Sequence, residues 1–143
     1  MPELPQQAFV ALLRAAEAVT QSAAALLKQH SLTPAQYNVL RILRGAGPEG
    51  HLCREVGERL IQREPDVTRL LDRLEKRGFT TRARSDTDRR ALRITITPAG
   101  LQLLATLDQP VRDLHRAQFS ALSERRLLDL IRTLNLLTPG DHL

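Results

Sequence analysis

A mainly helical fold with one small β-hairpin is predicted for this chain of 143 residues. Three observations carry that prediction. Apolar residues recur at three- and four-residue steps through most of the chain, the spacing of a helix with one buried face. Two short helical stretches, one over 52–60 and one opened near Pro65, are joined by a tight turn. Over 80–97 the period drops to two, as a strand pair requires.

Taken in order, residues 7–29 read as a helix, with Leu12, Leu13, Ala16, Val19, Ala23, Leu26 and Leu27 on its apolar stripe. Thr33 then offers an N-cap and Pro34 a first helical position for a second helix carrying Tyr37, Leu40, Leu43 and Arg44. Residues 45–50 form a glycine-rich loop. Leu52, Val56 and Leu60 mark a third helix. After the break at Ile61-Gln62-Arg63-Glu64, Pro65 is expected at the first position of a fourth. There Val67, Leu70, Leu71 and Leu74 make the buried stripe, and Arg69, Asp72, Arg73 and Lys76 the exposed side. Gly78 stops that helix.

Residues 80–84 are β-prone, and Leu92, Ile94 and Ile96 alternate with Arg93, Thr95 and Thr97, so a two-stranded hairpin with a charged tip over 85–90 is expected. Thr97-Pro98 opens a helix through Leu101, Leu104 and Leu107, which Pro110 is expected to kink or break. Ser123 caps a last helix with Leu127, Leu130, Ile131, Leu134 and Leu137. Two short helices joined by a turn and followed by a two-stranded wing make a winged helix-turn-helix, whose exposed helix fits a major groove while the hairpin reaches the adjacent backbone or minor groove.

Charge agrees with that reading. The net charge is +5, and residues 77–93 alone hold Arg77, Arg82, Arg84, Arg89, Arg90 and Arg93 against Asp86 and Asp88. A focused basic patch points to a polyanion, or else to a solvated surface hairpin. Phe9, Tyr37, Phe79 and Phe119 are the only aromatics, too few for a base-stacking platform, so a duplex is the expected nucleic acid.

Other classes lose ground. Cys53 is the single cysteine, which excludes an internal disulfide and a thiolate zinc site. His30, His51, His115 and His142 lack close ligand spacing, so no metal and no cofactor is expected. Catalytic constellations and phosphate-cradling loops are absent, and an enzyme is not expected. No secretory signal or long uninterrupted apolar stretch is visible, so a cytoplasmic protein without a membrane partner is the expectation.

Four segments together resemble the MarR family of bacterial transcriptional regulators. They are residues 32–40 (LTPAQYNVL), 54–60 (REVGERL), 66–79 (DVTRLLDRLEKRGF), and Asp88-Arg89-Arg90 with 94–100 (ITITPAG). The resemblance implies one MarR-like domain over 1–143, with a DNA-binding region over 32–100 and dimerisation helices over 5–30 and 101–140. It implies a homodimer on an inverted-repeat operator of double-stranded DNA, usually as a repressor.

By the same resemblance, Arg90 is the wing arginine of the minor groove, with Asp88 orienting it. Asp66, Thr68, Arg69 and Arg73 match the recognition segment; from their own places in the chain, Gln62 and Arg63 in the turn are expected phosphate contacts, and Arg82, Arg84 and Arg89 of the basic hairpin complete the expected DNA-binding set. Many family members respond to small phenolic or aromatic acids, for which Arg14, His30, Tyr37 and His115 are candidates here. Glu64-Pro65 departs from the small hydroxyl residues the family often has there.

Two alternatives stay open. Glu64, Asp66, Asp72 and Glu75 suit a winged-helix module that binds protein. Cys53, beside His51 and Arg54, is either a small packed thiol or a redox sensor.

Overall fold

The computed structural model describes residues 1–84 and 91–139. The elements are α1 (Leu4–Lys28), α2 (Pro34–Ala46), a 3₁₀ turn (Gly47–Glu49), β1 (His51–Leu52), α3 (Cys53–Arg59), α4 (Val67–Lys76), β2 (Thr80–Arg84), β3 (Leu92–Ile96), α5 (Pro98–Gln118) and α6 (Glu124–Asn135). The fold is mainly helical with a small sheet, as the sequence predicts.

Local chemistry sets most boundaries. Thr33 and Gln36 form a reciprocal capping box at the start of α2, with Thr33 Oγ1 accepting from the Gln36 N–H at 3.1 Å and Gln36 Oε1 from the Thr33 N–H at 3.0 Å. Ser123 caps α6 through the Arg126 N–H. Glu55 reaches back to the Leu52 N–H at 2.8 Å, and that bond is the main reason its carboxyl titrates below the usual carboxylate range.

Three details differ from the sequence reading. The sheet has three strands, ordered β1-β3-β2 and antiparallel throughout. Two residues leave no period to read, so β1 was invisible in sequence. It is admitted by Gly50, which has φ +64° and whose missing side chain leaves room for the Ile94 carbonyl. Pro65 does not open α4; the helix begins at Val67 with Asp66 as its N-cap. Pro110 lies inside an unbroken α5. Leu104, Leu107 and Val111 on either side of it are buried, and that packing holds the helix across the missing N–H.

The core lies among α2, α3, α4, the sheet and the first half of α5. Val39, Leu40, Leu43, Val56, Leu71, Leu74, Ile94, Leu104 and Leu107 are all nearly inaccessible. Arg44 on α2 makes a two-pronged salt bridge to Asp108 on α5, at 2.9 and 3.1 Å. The terminal helices are different. Leu27 is the only residue of α1 that is buried, and α6 buries none. Phe9, Leu12, Leu13, Leu101, Leu128, Ile131, Leu136 and Leu137 lie exposed. By length and composition α1 would also suffice to cross a membrane, a possibility the sequence reading did not count because Arg14, Glu17 and several polar residues interrupt it.

The Arg44–Asp108 bridge has a measurable signature. Hydrogen bonding to the Arg44 guanidinium holds the Asp108 carboxyl below its ordinary range. A folded-state pKa below the unfolded value of about 3.9 stabilises above that pH, and the stabilisation disappears as the pH falls through the folded value. Asp108→Asn is therefore expected to lose about 1 kcal/mol in urea unfolding at pH 7, with the two proteins converging well below pH ~4. An equal difference at pH 7 and pH 2 would remove the ion pair as the cause.

Candidate nucleic-acid interface

The helix that would face a duplex is α4. Asp66 accepts the Arg69 N–H at 3.0 Å and so satisfies one orphan donor of the first turn. Leu70, Leu71 and Leu74 are buried, which turns Thr68, Arg69, Asp72, Arg73, Glu75 and Lys76 outward. At the exit, the Phe79 N–H bonds the Leu74 carbonyl at 3.1 Å and the Gly78 N–H the Glu75 carbonyl at 2.9 Å. With Gly78 at φ +81°, this is a Schellman motif, which only glycine enters without strain.

That exit is tied to its neighbours. Arg77 donates to the carbonyls of Ser31 (2.6 Å) and His30 (3.4 Å) in the α1–α2 turn and lies 4.9 Å from the centre of the Phe79 ring. Thr97, at the end of β3, donates its hydroxyl to the Gly78 carbonyl at 2.6 Å and its N–H to the Phe79 carbonyl at 2.9 Å. The same hydroxyl caps α5 through the Gly100 N–H at 3.2 Å. Gly100 is required there because a side chain would stand 2.6 Å from the Phe79 carbonyl oxygen. At the other end of α4, Asn38 Oδ1 on α2 accepts the Ile61 N–H at 2.8 Å and fixes the turn between α3 and α4.

The sequence-derived candidates are placed differently. Arg69 and Arg73 stand exposed on α4, with Gln62 and Arg63 exposed in the turn before it. Asp66 and Thr68 are engaged inside the protomer, the first as the cap and the second 3.9 Å from Cys53 Sγ. Arg82 turns back to α4 rather than standing free: its Nη2 meets Asp72, and its Nε lies 2.8 Å from Glu75 Oε2. Arg84 is exposed at the far end of β2. Asp88, Arg89 and Arg90 lie outside the described residues.

The effector candidates are scattered. Arg14 and His115 are exposed on α1 and α5, His30 is half-buried beyond α1, and Tyr37 is half-buried on α2 with the Arg41 guanidinium 5.9 Å from its ring centre. His115 bonds Gln118 through Nδ1 at 3.0 Å. Among the described residues, no hydrogen bond or ion pair joins any two of these four.

Sequence reasoning missed the roles of Asn38, Arg77 and the Arg82 clamp. The first two act across 23 and 46 or more residues of chain, beyond any local period. The clamp had a faint signal, because Asp72 and Glu75 are three apart and so share a helix face.

Two short helices joined by a fixed turn, the second with a cationic outer face and followed by a rigidly anchored strand pair, define a winged helix-turn-helix protein. The chain belongs to the MarR family, whose sequence profile matches residues 30–91. The HTH-type transcriptional regulator TtmR of Methylorubrum extorquens (strain PA1) is 35% identical over 125 residues, which take in 87% of this chain and 63% of that protein, less than two thirds of its length. The homoprotocatechuate degradative operon repressor of Escherichia coli is 30% identical over 125 residues, covering 85% of this chain and 83% of the relative. A MarR transcription factor of Planctomyces limnophilus, solved as a crystal structure, is 38% identical with a TM-score of 0.74, covering 95% of this chain and 98% of that one.

Asp66→Ala removes the cap without touching the core. It is expected to cost about 1 kcal/mol in thermal or urea unfolding. An unchanged stability would mean that the carboxylate does not hold the first turn of α4.

Proposed function

We propose that the chain is a dimeric regulator of transcription that binds double-stranded DNA at an inverted repeat and represses, with α4 in the major groove. The observation that carries this reading is the charge left facing outward on α4. Asp72 and Glu75 are taken up by Arg82 and Asp66 by the helix cap. Among the described residues, Arg69, Arg73 and Lys76 make no ion pair, so the outer face of a helix with balanced charges is effectively cationic. The same observation weighs against a protein-binding module, which the four acids of this segment would have suited.

The wing supports the reading through its arginines. Arg90, with Asp88 beside it in sequence, is assigned the minor groove; Arg63 and Gln62 are assigned phosphate. The region 32–100 would read DNA, while 5–30 and 101–140 pair two protomers through the apolar faces that α1 and α6 leave open. A small phenolic or aromatic acid is the proposed effector class, with Arg14, His30, Tyr37 and His115 as its candidate contacts, and the cytoplasm the proposed site of action.

Fluorescence anisotropy with the duplex upstream of the protein's own gene tests the reading. Arg73→Ala and Arg90→Ala are each expected to weaken binding by about 1–3 kcal/mol. Affinity should fall steeply with salt, because a dimer with these arginines neutralises roughly six to ten phosphates. A flat salt titration, or equal binding of a scrambled duplex, would overturn it.

A further inference from the structure

We propose that Arg82 is a positioning residue that offsets the charge of the two outward carboxylates of α4 and fixes the angle of the wing to that helix; the inference rests on the duplex-binding reading above. Arg82 stands on β2 opposite Ile94 of β3. One guanidinium meets both Asp72 and Glu75, through Nη2 and through Nε at 2.8 Å. Its side chain is 25% exposed, against 57% and 44% for the two carboxylates. The cation therefore lies on the inner side of the clamp and the acids on the side open to solvent.

Two consequences follow from that arrangement. Carboxylates beside Arg69, Arg73 and Lys76 would repel phosphate, and a cation shared between them offsets about half of their charge. The donors that Arg82 directs at the acids are also not available to a phosphate, so a residue expected to touch DNA from its place in the basic segment acts instead through α4. Lysine could not replace it equally, since only the planar fork presents Nε and Nη2 to two acceptors at once.

The clamp also supplies a second point of attachment. Near Thr80, the strand pair is pinned to the exit of α4 by the bonds from Thr97 to Gly78 and Phe79. Arg82, two residues further along β2, adds a contact to α4 nearer the hairpin end, so the wing and α4 present one fixed spacing to adjacent grooves.

Anisotropy titrations would compare the unsubstituted protein, Arg82→Ala, and the triple variant Arg82→Ala/Asp72→Asn/Glu75→Gln, each against the upstream duplex and a scrambled one. Arg82→Ala should bind at least tenfold more weakly, with an unchanged slope of log affinity against log salt. The triple variant, which leaves no carboxylate uncovered, should recover the part of the loss due to charge and still bind more weakly than the unsubstituted protein, because the wing is no longer held. A triple variant that is folded yet binds no better than Arg82→Ala, with a salt slope reduced by about one phosphate per protomer, would make Arg82 a direct contact and overturn the proposal. Should Arg82→Ala alone fail to fold, the triple variant is compared with the unsubstituted protein: an equal salt slope supports the proposal, and a slope reduced by about one phosphate per protomer overturns it.

Amide hydrogen exchange without DNA gives an independent reading. Exchange in β2 and β3 should quicken in the triple variant, and unchanged exchange would remove the positioning role. If the unsubstituted protein does not distinguish the two duplexes, the duplex reading fails, while the exchange measurement still decides whether the clamp holds the wing.

Discussion

The bonds that tie the exit of α4 to the sheet and to α5 meet at Thr97. Its hydroxyl donates to the carbonyl of Gly78 and accepts from the Gly100 N–H, while its own N–H bonds the Phe79 carbonyl. Three elements meet at this residue: the end of α4, the end of β3 and the start of α5. The two glycines are the condition for the meeting. Gly78 takes the left-handed conformation that ends α4, and Gly100 lets α5 approach the Phe79 carbonyl to a distance that no side chain would allow. The core then sets the depth of α4, through Leu70, Leu71 and Leu74, and the Thr97 junction sets its direction relative to the sheet.

Charge is organised on the same frame. By sequence, the segment 63–76 holds four bases and four acids and looks indifferent to polyanions. Folding separates the two sets: of the four acids, Asp66 is spent on the helix cap and Asp72 and Glu75 share a cation from the neighbouring strand, while Arg69, Arg73 and Lys76 stand outward on α4 without an ion pair among the described residues. A count along the chain averages over directions that the fold distinguishes. Affinity for a duplex depends on the directed charge, not on the sum.

Much of this was legible in the sequence because it is local. The Thr33 cap, the Gly78 stop, the stripe of Leu70, Leu71 and Leu74, and the strand marked by Leu92, Ile94 and Ile96 all act within a turn or two of chain, and the structure places these elements as read, with Ile94 buried and Leu92 exposed in the strand. What escaped was of two kinds. Pro65 and Asp66 compete for the same helix start, and the carboxylate that accepts the Arg69 N–H wins over the ring that merely fits. The two residues of β1, the survival of α5 past Pro110, and the bonds of Asn38, Arg77 and Arg82 depend on partners far away in sequence. The open apolar faces of α1 and α6 were visible as leucine patterns, but only the fold shows that the protomer itself leaves them uncovered.

The central claim is that the outer face of α4 and the anchored strand pair meet duplex DNA together. An NMR titration of the isotopically labelled protein with its upstream duplex tests it most directly. Amide shifts concentrated at Arg63, Thr68, Arg69, Arg73 and the β2–β3 pair, saturating together, are the expected result. Shifts confined to α1 and α6, with α4 silent, would contradict it.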